Sequence, residues 1–76
     1  MNIETMKTIF NQNGVVRFKM YGLDYTVEKV ENGIVIYADL YNNKKNVYEN
    51  LDDVLSNYYI YNESIESNEG RIQNIH

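Results

Sequence analysis

"FKMYGLDYTVEKVENGIVIYADL", residues 18–40, alternates apolar and polar side chains around two turn signals, and its register decides the fold. The period of two begins at Val15. Val16, Phe18 and Met20 fall on one face and Arg17, Lys19 and Tyr21 on the other, which is the pattern of a half-buried strand. Tyr21-Gly22-Leu23-Asp24 places glycine first of two central residues, as a type II′ turn prefers. Glu31-Asn32-Gly33-Ile34 carries the Asn-Gly signal of type I′. With two-residue loops at both places, Met20 pairs with Tyr25 and Phe18 with Val27, while Tyr25 meets Leu40 and Val27 meets Ala38. Arg17 then stands opposite Glu28, a cross-strand ion pair worth at most about 1 kcal/mol. Two turns read independently give one apolar face across three strands, which specifies an antiparallel meander.

A fourth strand follows. "NNKKN" is a polar loop, and with Asn43-Lys44 as its turn "NVYE" returns with Val47 opposite Leu40. The expected core face is therefore Val16, Phe18, Met20, Tyr25, Val27, Ile36, Ala38, Leu40 and Val47, with Ile34 at its rim. Lys29 falls on the same face near Ile36 and is expected at the sheet's end, its stem packed and its ammonium in water. Before the sheet, Ile3, Met6, Ile9 and Phe10 form a narrow apolar stripe on a helix over residues 2–12, stopped by Asn13-Gly14. After it, Asn50 is an N-cap, Asp52 and Asp53 suit the first turn, and Leu51, Val54, Leu55 and Tyr58 repeat at helical spacing. This second helix is expected over about 50–59, with Tyr58 in its buried stripe. Tyr59 and Tyr61 then flank Ile60 in an extended exit.

The fold class is thus α+β: a four-stranded antiparallel meander with both helices packed on one face. Residues 1–65 form the single domain. Residues 66–76, polar around Glu66 to Gly70, are expected as a weakly ordered tail in which Ile65, Ile72 and Ile75 anchor at most a final turn or fold back over Val30, Val35 and Tyr37.

Residues 18–40 together with "NLDDVLSNYYIYNESI", residues 50–65, resemble small uncharacterised proteins of low-GC bacteria and their phages or mobile elements. The resemblance covers residues 15–65 and lies in a helix, a meander, an L-D-D/E-x-L helix and an I-x-x-x-S-I/L exit. What it implies is architecture, and a setting in which some small proteins block host defences. The abundance of Asn, Ile, Tyr and Lys and the absence of proline agree with AT-rich coding.

Chemistry is sparse. The one histidine, His76, stands at the end of the sequence, where the positional precision that a triad needs is expected to be poor. Asp52 and Asp53 are helix neighbours that point about 100° apart, and the helix dipole accounts for both. There is no cysteine, no calcium loop, no phosphate loop and no histidine pair. The expectation is a non-enzyme with no catalytic residue, metal or cofactor. The N-terminal stretch lacks the apolar run of a secretory signal, and no stretch reaches the roughly 20 apolar residues of a membrane span, so a soluble cytoplasmic protein is expected. Lys44 and Lys45 are read as a solvated loop tip rather than an anion contact.

The remaining candidate is the second face of the sheet, which the same register lines with Val15, Arg17, Lys19, Tyr21, Asp24, Thr26, Glu28, Val30, Val35, Tyr37, Asp39, Tyr41 and Tyr48. Val30 faces Val35 and Asp39 faces Tyr48. A merely wet face carries such residues too, but tyrosine among charges is also the composition of interaction surfaces. The candidate partner-binding residues are Tyr21, Glu28, Val35, Tyr37, Asp39, Tyr41 and Tyr48, with Tyr61 from the exit. Seven basic against eleven acidic residues give a net charge of −4, which disfavours nucleic acid and favours a basic protein partner. The leading expectation is a small acidic protein-binding module, an inhibitor of a basic host protein such as a defence nuclease, in the manner of anti-CRISPR or anti-restriction proteins. The alternatives are a nucleic-acid-binding domain using Arg17, Lys19 and stacked tyrosines on the open sheet, and a structural homodimer through the same face.

Overall fold

The computed structural model describes residues 2–76. Its elements follow the expected order: α1 (Asn2–Asn13), β1 (Val15–Met20), β2 (Leu23–Val30), β3 (Gly33–Ala38), a 3-10 turn (Asp39–Tyr41), β4 (Asn46–Tyr48) and α2 (Leu51–Asn57). A small hairpin, β5 (Tyr59–Ile60) and β6 (Glu63–Ser64), and a 3-10 segment (Glu66–Arg71) complete them. The first four strands form one antiparallel sheet in the order β1-β2-β3-β4, so the α+β meander is as expected.

Both helices pack on one face. Met6 and Phe10 from α1 and Leu51, Val54 and Leu55 from α2 join Val16, Phe18, Met20, Tyr25, Val27, Ile34, Ile36 and Ala38 in a single apolar cluster. Each of the Val, Leu, Ile, Met and Phe side chains among them, fully buried, contributes about 1.5–3 kcal/mol. α1 has only its narrow stripe to bury, so packing rather than propensity holds it. α2 begins as expected, with the Asn50 side chain accepting from the Asp53 N–H at 2.8 Å. It stops at Asn57, one turn edge earlier than expected: Tyr58 is already extended at φ −88° and ψ 117°, although its ring still packs on the core. The run Tyr58-Tyr59-Ile60 favours extended backbone, and Ile60 is buried as the extended exit requires.

Both hairpins are two residues out of the expected register. Phe18 pairs with Tyr25 and Val16 with Val27, and across the second hairpin Tyr25 pairs with Ala38 and Val27 with Ile36. Arg17 therefore faces Thr26 rather than Glu28, and Val30 faces Gly33 rather than Val35. A slip of two leaves every side chain on its face, which is why the inner face was legible although its pairings were not. The first turn is Tyr21-Gly22, both with positive φ (52° and 78°), and this frees Leu23 to lie against the core instead of at the tip. At the second, Glu31 and Asn32 occupy the turn and Gly33 opens β3 at φ 149°. A Cβ on Gly33 would stand 2.5 Å from the Tyr48 carbonyl oxygen, so this glycine lets β4 approach. Lys29, opposite Ile34 at the end of the sheet, is exposed as expected.

β4 has the opposite parity. The 3-10 turn over Asp39–Tyr41 lengthens the connection, and the strand pairs Ile34 with Tyr48 and Val35 with Val47. Tyr48, expected outside, packs against the core, while Val47, expected inside, is 64% exposed. Leu40, also expected in the core, sits in the 3-10 turn at 70% exposure. The larger aromatic surface thus gains the interior position.

Residues 66–76, expected as a weakly ordered tail, close the body. The Arg17 and Lys19 N–H groups donate to the carbonyls of His76 and Gln73 at 2.8 and 2.7 Å, and the N–H groups of His76 and Gln73 donate back at 2.9 Å each. Two residues, Asn74 (φ 53°) and Ile75, stand opposite Phe18 alone, so the edge pairing contains a bulge. Ile65 and Ile72 are buried in the core rather than laid over Val30, Val35 and Tyr37. The Glu69 carboxylate accepts from the Ile3 N–H at 3.1 Å, at the N-terminus of α1 where negative charge is favoured.

The two glycines Gly14 and Gly33 separate backbone strain from steric exclusion. Gly14 (φ 74°) has open space around it, so Gly14→Ala is expected to cost about 1 kcal/mol from strain alone. Gly33→Ala meets the Tyr48 backbone as well and is expected to cost roughly 3 kcal/mol. Urea unfolding of the two variants measures the difference, and equal losses would contradict the close β3–β4 approach.

Candidate functional site

The expected contact residues divide among three places. Glu28, Tyr37 and Asp39 remain on or beside the outer face, but that face is not uniformly wet. Val35, in a central strand, is 6% exposed, and Thr26 is buried with its hydroxyl donating to the Asp39 carboxylate at 2.6 Å. The Lys45 ammonium lies 4.9 Å from the centre of the Tyr37 ring, a cation–π contact that leaves Tyr37 half-buried. Val35 is thus unavailable to a partner. Tyr48 lies on the other side of the sheet.

Tyr21 and Tyr61 form the second place. β5 and β6 turn through Tyr61-Asn62, whose φ values of 52° and 68° repeat the geometry of Tyr21-Gly22. A tyrosine in the left-handed region is uncommon and costs roughly 1 kcal/mol. The two tips meet, with ring centres 4.8 Å apart and planes at 83°, an edge-to-face pair whose attraction of about 0.5–1.5 kcal/mol offsets much of that strain. The Arg71 guanidinium lies 5.6 Å from the Tyr21 ring centre. Tyr61 is 72% exposed, and Tyr59, on the same hairpin, is exposed too.

Tyr41 belongs to the third place, a cleft of about 300 Å³ at the end of the core, lined also by Leu23, Tyr25, Ala38 and Tyr58 and bordered by Lys44 and Asn46. Its aromatic wall is continuous with the core. Phe18 stacks on Tyr25 at 5.3 Å, Tyr58 meets Tyr25 edge-on at 6.4 Å, and Tyr48 meets Tyr58 likewise at 6.4 Å. Burial, and then the neighbouring Tyr58 and Tyr61 hydroxyls, holds the Tyr25 hydroxyl above the ordinary tyrosine range. Burial raises Tyr58 as well, with Tyr48 adding to it, and raises Tyr48, with Asp53 adding to it. All three phenols are protonated at neutral pH, as tyrosine ordinarily is, and their ionisation is displaced to still higher pH.

No family model matches the chain, and no curated protein or solved structure does so either. Among the described residues no three histidine, cysteine, aspartate or glutamate side chains come together as metal ligands would, and no helix is long and apolar enough to cross a membrane. Among the described residues the His76 ring hydrogen-bonds to the Asn74 carbonyl at 2.7 Å, while its backbone pairs with Arg17.

Sequence reasoning passed over Tyr25, Tyr58, Asn46 and Arg71. For the first two a signal existed. A tyrosine assigned to the core must still bring its hydroxyl to a partner or to water, and that water-facing end marks where the core opens.

The raised tyrosines carry a stability signature. A phenol whose ionisation is displaced upward on folding stabilises fully below the ordinary tyrosine value, and that contribution falls as pH rises through about 10 toward the raised value. Stability is therefore expected to decline from that pH upward, with Tyr25→Phe and Tyr58→Phe each flattening the decline. Phenolate absorbance should show three of the eight tyrosines titrating above the ordinary tyrosine range. An alkaline limb unaltered by both substitutions would contradict the assignment.

Proposed function

We propose that the chain is an acidic, non-enzymatic protein-binding module that engages a basic partner protein through the paired turn tyrosines, Tyr21 and Tyr61, with Tyr59 beside them. The observation that carries this reading is the pair itself: two exposed aromatic side chains held edge to face on backbone that tyrosine ordinarily avoids. Strain retained at an exposed position supports a role beyond folding. A rigid tyrosine gives large contact area for little loss of rotamer freedom, which is the property of an interface anchor. Arg71 over Tyr21 provides an internal example of the contact that an arginine of the partner would make with the exposed side of the Tyr61 ring. The net charge of −4 would steer a basic protein toward the surface and oppose a phosphate backbone. In its finer form the reading is a cytoplasmic inhibitor carried by a phage or mobile element and directed at a defence nuclease, supported by the AT-rich composition and by the resemblance of residues 15–65 to small proteins of that setting.

Tyr61→Asn tests the reading cleanly, because asparagine tolerates the left-handed backbone. The expected result is a melting temperature unchanged within the effect of about 0.5 kcal/mol usual for surface substitutions, together with loss of a basic protein that the unaltered chain retains from native-cell extract. Retention of the same protein by Tyr61→Asn would overturn the role of the tip. Binding of single-stranded DNA or RNA that weakens steeply with salt would favour the nucleic-acid reading instead.

A further inference from the structure

The cleft between β3, the 3-10 turn and the end of α2 differs in kind from the tyrosine tips. Its inner wall is Leu23, Ala38 and the rings of Tyr25 and Tyr58, and its outer wall is Tyr41. Tyr25, 5% exposed, lines this cleft; among the described residues its hydroxyl has no hydrogen-bond partner, and no polar side-chain atom is shut away from solvent without one, so the hydroxyl reaches solvent. The hydroxyl is thus a donor available at the surface of the domain, where a bound acceptor can take the place of water.

Charge sharpens the point. In a chain with eleven carboxylates against seven basic groups, no carboxylate lines this cleft, and Lys44 is the one charged residue that does. Two acids adjoin lining residues in sequence, Asp24 and Asp39; neither lines the cleft, and Asp39 is engaged by Thr26. The companion lysine, Lys45, is directed to the Tyr37 ring. Asn46 adds an amide at the mouth. An apolar aromatic floor bordered by phenol, amide and ammonium groups is the composition of a small-ligand site, and about 300 Å³ lies at the lower limit of such sites.

We propose that this cleft binds a carboxylate carried on an aromatic or compact apolar body, the body lying between Tyr25, Tyr41 and Tyr58 and the carboxylate taken by Lys44 and the Tyr25 hydroxyl. The donors are suited to an anion and not to a cation, since Lys44 would repel an ammonium at the same place. Phenols carry their protons at neutral pH and so can donate, and burial displaces these two further upward.

Titration of the intact chain with 3-phenylpropionate, 3-phenylpropionamide and phenethylamine, followed by amide NMR shifts, tests the proposal. Saturating shifts at Ala38, Tyr41, Lys44 and Asn46 are expected for the carboxylate, with the amide and the amine at least about tenfold weaker. Lys44→Gln and Tyr25→Phe are each expected to weaken the carboxylate severalfold, while Lys45→Gln leaves it unchanged. Tyr25→Phe keeps the ring stack, and its spectrum reports directly that the fold is intact. A short peptide ending in phenylalanine, free or amidated at its C-terminus, identifies the source. Tighter binding of the free-acid peptide than of 3-phenylpropionate points to a protein chain end, and binding of the small acid alone points to a metabolite. Equal binding of amine and carboxylate, an equal effect of Lys44→Gln and Lys45→Gln, or absence of saturating shifts at the cleft would each overturn the proposal.

Discussion

The stack of Phe18 on Tyr25 is the contact around which the rest is arranged. It exists only in the register that pairs these two residues across β1 and β2. Once Tyr25 is fixed, its ring gives Tyr58 an edge-on seat, and that seat draws the end of α2 onto the sheet. Tyr58 in turn receives Tyr48, which sets the parity of the last strand and requires Gly33 beneath its carbonyl. A series of ring contacts from β1 to β4 thus joins three strands of the sheet and the end of the second helix. In a domain this small, where conformational entropy nearly cancels burial, few other arrangements could unite so many elements with so few side chains.

What the sequence made legible follows from period and parity. The inner positions of β1, β2 and β3 could be read despite wrong pairings, because alternation survives any slip of two. β4 could not, since a 3-10 turn has no apolar period to announce it and an odd change of loop length reverses every side chain. That is why Val47 and Tyr48 exchanged places. The final segment was illegible for another reason. Its hold on β1 is through backbone groups at Gln73 and His76, and backbone pairing leaves little trace in side-chain pattern. Polarity suggested disorder at Glu69, yet its carboxylate faces the first turn of α1.

The candidate sites show the same division. Tyr61 could be placed outside by its alternation with buried Ile60, but nothing in sequence brings it to Tyr21, because that meeting depends on two tips from distant hairpins. Tyrosine serves in all three places by different means: as a strained exposed tip, as a platform for Lys45, and as a core ring with a polar end. A single composition-based face therefore becomes three surfaces of separate chemistry once the strand parities are known.

The pairing of β1 with residues 73 and 76 also bears on time. β1 is among the first elements in the chain, yet its outer ladder is completed by backbone from the far end of the described sequence. Contacts of such long sequence separation delay folding, since the loop must close before they form. During synthesis, the β1–β2 hairpin can form early but keeps one flank unpaired until these last residues arrive. An unpaired strand flank is a place where two chains can join wrongly. The bulge at Asn74-Ile75 thus belongs to a latch that closes late, and the interval before it closes is when the nascent chain is most exposed to misassembly.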